Sequence, residues 1–287
     1  MITECAHAKL NLSLDILGTR NDGFHEVSMI LQSIALADQL FFERSDVGIN
    51  LTVEPSDIEG ADLLPTDEHN LIVKSARIIF ERFNLNGGLN IRLKKNIPIG
   101  AGLAGGSADA AATLRAINKI FDLNLDNDRL KEIATEIGSD VPFCIEGGTA
   151  LAEGRGERLT QLPSLPTIPI VLVKPRGAVS TALAYKTYDT DPSPEHLDNL
   201  QLVEAIKIGD VEAVGELMFN VLERVAVKFN PSIIDIKQRL LDAGAPAAMM
   251  SGSGPTVFAL ARSKEDAARI AQSIGDVDAK IFVTNTV

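Results

Sequence analysis

Cysteine is nearly absent. Cys5 and Cys144 are the only two in 287 residues, too few for a disulfide framework or a four-cysteine metal site, and a reducing cytoplasm fits that usage. Histidine is almost as sparse: His7, His25, His69 and His196 stand at spacings that suit no metal cluster, so no protein-only metal site is expected. Positive charge is also short, 27 Lys and Arg against 39 Asp and Glu. The net charge of -12 repels phosphate backbones and anionic lipid surfaces, which argues against nucleic acid and membrane partners. The opening MITECAHAKLNLSLDILG has no basic flank ahead of a long apolar run, and no uncharged stretch reaches membrane-spanning length, so neither secretion nor insertion is expected. Internal repeats and low-complexity segments are missing. So is the G-K-[ST] ending of a P-loop, because Ser107 follows Gly106.

What is present suffices for a large core: 45% hydrophobic against 23% charged residues, with a positive mean hydropathy. The length points to two domains, and the prolines within 162–167 mark the expected boundary, giving 1–162 and 163–287. Over 8–16 polar and apolar residues alternate, with Lys9, Asn11 and Ser13 on one face and Leu10, Leu12 and Leu14 on the other, the period of a half-buried strand. Segments 30–42, 48–53 and 88–93 read as further strands, and 70–83 as a helix capped by Asn70. A glycine-rich loop at 96–106 leads into an alanine-rich helix at 107–121. Next come a helix at 128–137, ended by Gly138, and an irregular turn at 139–143. The second half is more helical, with a strand at 168–173 and helices at 195–208, 211–224 and 232–243. Strands at 247–250 and 256–261 flank the loop Ser251-Gly252-Ser253-Gly254-Pro255, followed by a helix at 263–274 and a last strand at 279–283.

The sharpest chemical signal is Pro98-Ile99-Gly100-Ala101-Gly102-Leu103-Ala104-Gly105-Gly106-Ser107-Ala108, directly before a helix. Glycines let the backbone turn tightly and approach a ligand, while a helix N-terminus presents unsatisfied N–H groups and partial positive charge. Phosphate is the natural occupant. A plainer reading makes this a structural loop with Ser107 as helix cap. Gly100, Gly102 and Gly105 also satisfy the dinucleotide pattern G-x-G-x-x-G, but its context is wrong: Lys94-Lys95-Asn96 interrupts the approaching strand, and 123–128 is a turn. The acidic net charge does not argue against ATP, because local N–H groups and one or two lysines outweigh distant, screened carboxylates.

Three distant segments corroborate the loop: Ala8-Lys9-Leu10-Asn11-Leu12, Gly138-Ser139-Asp140-Val141-Pro142, and the loop from Ser251 to Pro255. In this order the set resembles the galactokinase, homoserine kinase, mevalonate kinase and phosphomevalonate kinase (GHMP kinase) superfamily. Within it, Asp22-Gly23-Phe24-His25, the Gly102-Leu103-Ala104-Gly105-Gly106-Ser107 form of the loop, Gly147 and Ala152-Glu153-Gly154 are similar to one branch. That branch phosphorylates a cytidine diphosphate sugar alcohol in the non-mevalonate isoprenoid pathway. The resemblance runs over residues 6–260. His7 stands where the family usually has proline, and Ala108 where a second hydroxyl is common, so a serine contact to Mg²⁺ depends on Ser107 alone.

The resemblance implies an α+β, two-domain GHMP kinase fold, with an N-terminal ribosomal-S5-domain-2-like β/α domain and a C-terminal ferredoxin-like α/β domain. It also implies ATP as co-substrate, Mg²⁺ carried with the nucleotide, a small-molecule acceptor, and a monomer or weak homodimer. Asp140 is expected to accept the proton of the acceptor hydroxyl, with Lys9 beside it. Taken singly, Lys9 also reads as an exposed strand lysine and Asp140 as a capping or turn aspartate. For the cytidine, Phe24 and Tyr185 are expected to stack on the base, His25 to meet its edge, and Thr181, one helical turn before Tyr185, to face the same ligand. Asn11 binds the diphosphate or orients Asp140 in this reading. Phe24 and Tyr185 read equally as core aromatics, His25 as a turn histidine and 251–255 as a glycine turn. The rivals are a homoserine-type or mevalonate-type kinase and a catalytically silent nucleotide-binding relative.

Overall fold

The structure is a computed structural model describing residues 1–191 and 196–287. In chain order the elements are β1 (Ile2–Thr19), β2 (His25–Ser45), β3 (Gly48–Val53), α1 (Leu71–Arg82), β4 (Gly88–Lys94), α2 (Gly105–Ile120), α3 (Asn127–Ala134) and α4 (Val141–Glu146). They continue with β5 (Thr149–Gly154), β6 (Arg158–Gln161), β7 (Pro169–Pro175), α5 (Thr181–Thr190), α6 (Asn199–Ile208), α7 (Val211–Glu216), β8 (Phe219–Asn220) and α8 (Glu223–Ala226). The last five are α9 (Ser232–Asp242), β9 (Ala247–Met250), β10 (Val257–Leu260), α10 (Lys264–Ser273) and β11 (Ala279–Asn285). Two compact units interleave along the chain. One comprises Met1–Lys9, Leu36–Ile99 and Ala104–Gly147; the other comprises Leu10–Ala35, Gly100–Leu103 and Gly148–Val287.

In the first unit β4 pairs antiparallel with the end of β2, Gln39 opposite Lys94, and parallel with β3, Gly48 opposite Gly88. A parallel pair needs a crossover, and α1 supplies it between β3 and β4. Asn70 caps α1, its side chain accepting the Ile72 N–H at 3.0 Å. The inner face of α2 is a run of buried alanines, Ala108, Ala110, Ala111, Ala112 and Ala116, whose small side chains let the helix backbone lie close to α1 and α4. Leu40, Phe42, Ile72, Ile79 and Leu89 fill the core between sheet and helices.

In the second unit β5 pairs antiparallel with the start of β2 and with β6, while β1 pairs parallel with β8. A separate four-stranded antiparallel sheet has the order β11-β7-β10-β9. Strand β7, helix α9, strands β9 and β10, helix α10 and strand β11 then follow the ferredoxin-like β-α-β-β-α-β path. Helices α9 and α10 lie against this sheet, and α5 to α8 fall within its first crossover.

Five expectations change. The expected helix at 211–224 is interrupted: β8 pairs with Ser13 and Leu14, so tertiary strand pairing overrides local helical periodicity and leaves α7 and α8 as short pieces. The expected turn at 139–143 winds into α4 from Val141, because Pro142 falls in the first helical turn, where its missing N–H costs nothing. The phosphate-loop helix starts at Gly105, two residues early. Over 8–16 strand β1 is buried on both faces, because its polar side chains find protein partners: Ser13 donates to Asn199 at 2.6 Å, and Asp15 accepts the Leu197 N–H at 3.0 Å. The helix expected from 195 begins at Asn199, with Asp198 as its cap; residue 195 lies outside the described residues. Among the described residues, no helix is long and apolar enough to cross a membrane.

Phe258 on β10 is fully buried. Phe258→Ala is expected to destabilise the second unit by about 3–5 kcal/mol, read by urea denaturation followed by circular dichroism; a loss below about 1 kcal/mol contradicts that packing.

Candidate active site

In the first unit, β1 carries Lys9 into a position only 4% exposed. A buried ammonium needs an anion, and the Asp140 carboxylate provides one at 3.8 Å. Asp140 occupies the N-cap position of α4, yet its side chain makes no capping hydrogen bond. Lys9 is therefore not an exposed strand lysine, and the Asp140 carboxylate does not cap the helix that follows it. Cys144 lies one turn along α4. Burial pushes its thiol up to about 12, with the Asp140 carboxylate acting in the same direction and Lys9 against it, so the sulfur beside the pair stays protonated.

The same unit holds the start of α2. Its N-cap, Ala104, has φ 54° and no side chain able to cap. The Ala108 N–H donates to the Ala104 carbonyl at 2.9 Å, which leaves the Gly105, Gly106 and Ser107 N–H groups without a helical acceptor. Ser107 therefore sits inside the first turn, which sets aside the plainer reading of it as the helix cap. Uncapped donors at the positive end of a 16-residue helix suit a phosphate.

Sequence reasoning missed a buried charge cluster at the root of this loop. Lys95, Asp38 and Asp109 are all buried. The Lys95 ammonium donates to Asp38 Oδ2 and, at 2.8 Å, to Asp109 Oδ2. Asp38 Oδ1 accepts the N–H groups of Asn96 and Ile97 at 2.6 and 2.8 Å. A lysine closing a strand gave no hint of burial; the signal lay in Asp38, a lone carboxylate within an apolar strand. Burial pushes the Asp109 carboxyl up to about 8 against the pull of Lys95, and Asp109 Oδ1 has no hydrogen-bond partner. Asp109 thus carries a proton at neutral pH.

In the second unit, Asn11 is fully buried, its amide nitrogen 3.3 Å from Met29 Sδ. Gly102 has φ 76°, and a Cβ there would collide with the Ser251 carbonyl. The Ser251 hydroxyl donates to the Gly102 carbonyl at 3.0 Å, so the late glycine loop is packed on the phosphate-loop backbone. Asn220 on β8 holds that loop from behind, donating to the Met250 and Gly252 carbonyls at 2.8 and 2.9 Å; its place in an expected helix concealed the role. Thr181 opens α5 and shares a 2.8 Å hydrogen bond with Ser253.

His25 and Tyr185 are brought together, ring centroids 4.8 Å apart and tilted by 44°. His25 Nε2 is 2.7 Å from Asp189 Oδ1, so only Nδ1 is left for a ligand edge. Phe24 is 48% exposed with the Arg155 guanidinium 5.2 Å above its ring, which sets aside the core-aromatic reading.

Asp109 makes stability pH-dependent in a defined direction. Its carboxyl ionises near the ordinary value of 3.8 in the unfolded chain but only at about 8 when folded, so its contribution is full below the first value and is lost as pH rises through the second. Asp109→Asn cannot titrate. Its melting temperature is expected to gain on the wild type between about pH 5 and about pH 8 in scanning calorimetry; a wild type that gains on the variant over that range contradicts the buried, protonated carboxyl.

The GHMP kinases N terminal domain matches residues 70–148, and the GHMP kinases C terminal domain matches residues 202–279. A 4-diphosphocytidyl-2-C-methyl-D-erythritol kinase of Pelotomaculum thermopropionicum is 46% identical over 100% of this chain and 98% of its own length. The enzyme of that name from Listeria innocua is 48% identical over 94% of this chain and 90% of its own. A crystal structure of a 4-(cytidine 5'-diphospho)-2C-methyl-D-erythritol kinase shares the fold at a TM-score of 0.83 and 31% identity, covering 99% of both chains. With both domains in order and full-length identity at this level, the chain belongs to the 4-diphosphocytidyl-2-C-methyl-D-erythritol kinase family of GHMP kinases.

Proposed function

We propose that this chain transfers the γ-phosphoryl group of ATP to the 2-hydroxyl of 4-diphosphocytidyl-2-C-methyl-D-erythritol, the kinase step of the non-mevalonate route to isoprenoid precursors. The observation that carries this reading is the buried Lys9–Asp140 pair, in a chain related over nearly its full length to kinases of that name.

Phosphoryl transfer passes through a loose transition state, so the protein contributes mainly alignment and stabilisation of charge. The acceptor oxygen attacks the γ-phosphorus, the bond from that phosphorus to the bridging oxygen breaks, ADP departs, and the hydroxyl proton goes to Asp140. Lys9 holds the carboxylate in place and meets negative charge on the transferring oxygens. The open N–H groups of Gly105, Gly106 and Ser107 receive phosphate oxygens, within a loop from Pro98 to Ala108 whose glycines admit close approach. Carried on the nucleotide, Mg²⁺ would supply charge neutralisation there, with Ser107 the loop hydroxyl that would reach it.

For the acceptor, the His25–Tyr185 ring pair offers a surface for cytosine, Phe24 a second, exposed ring, and His25 Nδ1 a contact to the base edge. Thr181 and Asn11 supply polar contacts to the remainder. Matches at 70–148 and 202–279 fall on either side of residue 162, which supports assigning the phosphate loop to a domain at 1–162 and the ferredoxin-like path to one at 163–287. The net charge and the two cysteines support a cytoplasmic enzyme of small molecules, acting as a monomer or weak homodimer.

Asp140→Asn is expected to lower kcat by at least about 100-fold, with ATP affinity by calorimetry within about twofold of wild type. Full activity in that variant, or turnover of homoserine or mevalonate in place of the cytidylated acceptor, overturns the reading.

A further inference from the structure

The two ends of the phosphate loop meet at a single ammonium. At the entry, Asp38 accepts the Asn96 and Ile97 N–H groups through one oxygen and the Lys95 ammonium through the other. At the exit, Asp109 on α2 accepts the same ammonium at 2.8 Å. Gly105, the first residue of α2, lies so close that an added Cβ would stand 3.1 Å from Lys95 Nζ and 3.0 Å from Ile97 Cγ2. All of these residues belong to the first unit. Lys95 thus ties the last residues before the loop to the first turn of the helix after it.

We propose that Lys95 is a positioning residue for the nucleotide: by holding both ends of the loop with Asp38 and Asp109, it keeps the Gly105, Gly106 and Ser107 N–H groups converged on one point. The ammonium is only 4% exposed and held between the Asp38 and Asp109 side chains, so it acts through the loop and not by touching ATP. An uncapped helix start has no side chain of its own to hold its geometry, and here the buried cluster performs that task from behind. The proposal rests on ATP as the phosphoryl donor but not on the identity of the acceptor.

The test is Lys95→Met, measured by calorimetric binding of ATP and by steady-state kinetics with each substrate varied in turn. ATP affinity and the KM for ATP are expected to weaken at least about tenfold, while the KM for the cytidylated acceptor stays within about twofold. Unchanged ATP affinity, or an equal rise in both KM values, overturns the proposal, the second result marking a merely structural role. Calorimetry needs no acceptor, so a wrong acceptor leaves this arm intact; a wild type that fails to bind ATP overturns both readings. Should Lys95→Met not fold, Asp38→Asn, which keeps the ammonium and Asp109, is held to the same split between the two substrates.

Discussion

A lysine ammonium taken out of water has to find a carboxylate, and in the first unit that constraint acts twice. At Lys9 the partner is Asp140, an aspartate at a helix start whose side chain leaves the helix uncapped. At Lys95 there are two partners, Asp38 and Asp109, and the ammonium is fully enclosed. The difference decides what each site can do. Asp140 keeps 31% of its side chain exposed and can meet a ligand, whereas the Lys95 ammonium, 4% exposed between two aspartates, is positioned to act through the backbone around it.

The backbone it holds is the loop that leads into α2. A chain of net charge -12 must bind a triphosphate with local groups, since its long-range field works against association. In the proposed reading, three uncapped N–H groups at the head of α2 provide that attraction over a few ångströms, where distant carboxylates are screened. Their usefulness depends on geometry. Ala104 in a left-handed conformation, Gly105 pressed against Lys95, and Gly102 pressed against the Ser251 carbonyl fix the loop from points far apart in sequence.

Much of this was legible beforehand, and the reason is local. Asn70 announced α1, the alanine run announced α2, and alternation of polar with apolar residues announced β1. The paired reading of Lys9 with Asp140 came from the family resemblance, and the 3.8 Å contact agrees with it. What stayed hidden was set by tertiary partners. Alternation in β1 implied one wet face, because nothing in 8–16 shows that Asn199 and Leu197 would satisfy Ser13 and Asp15. Asn220 looked like a helix residue until strand pairing to β1 freed its side chain to hold the late glycine loop. Lys95 looked like an interruption of a strand, and nothing near it in sequence announced its burial between Asp38 and Asp109.

The central claim is that Lys9 and Asp140 act as one catalytic unit. A double-mutant cycle on kcat with Lys9→Met and Asp140→Asn tests it most directly. Interdependent partners predict a double variant no slower than the slower single variant, because the second substitution removes a group already disabled. Effects that multiply, each substitution costing its full factor in the presence of the other, would show two independent residues and contradict the account.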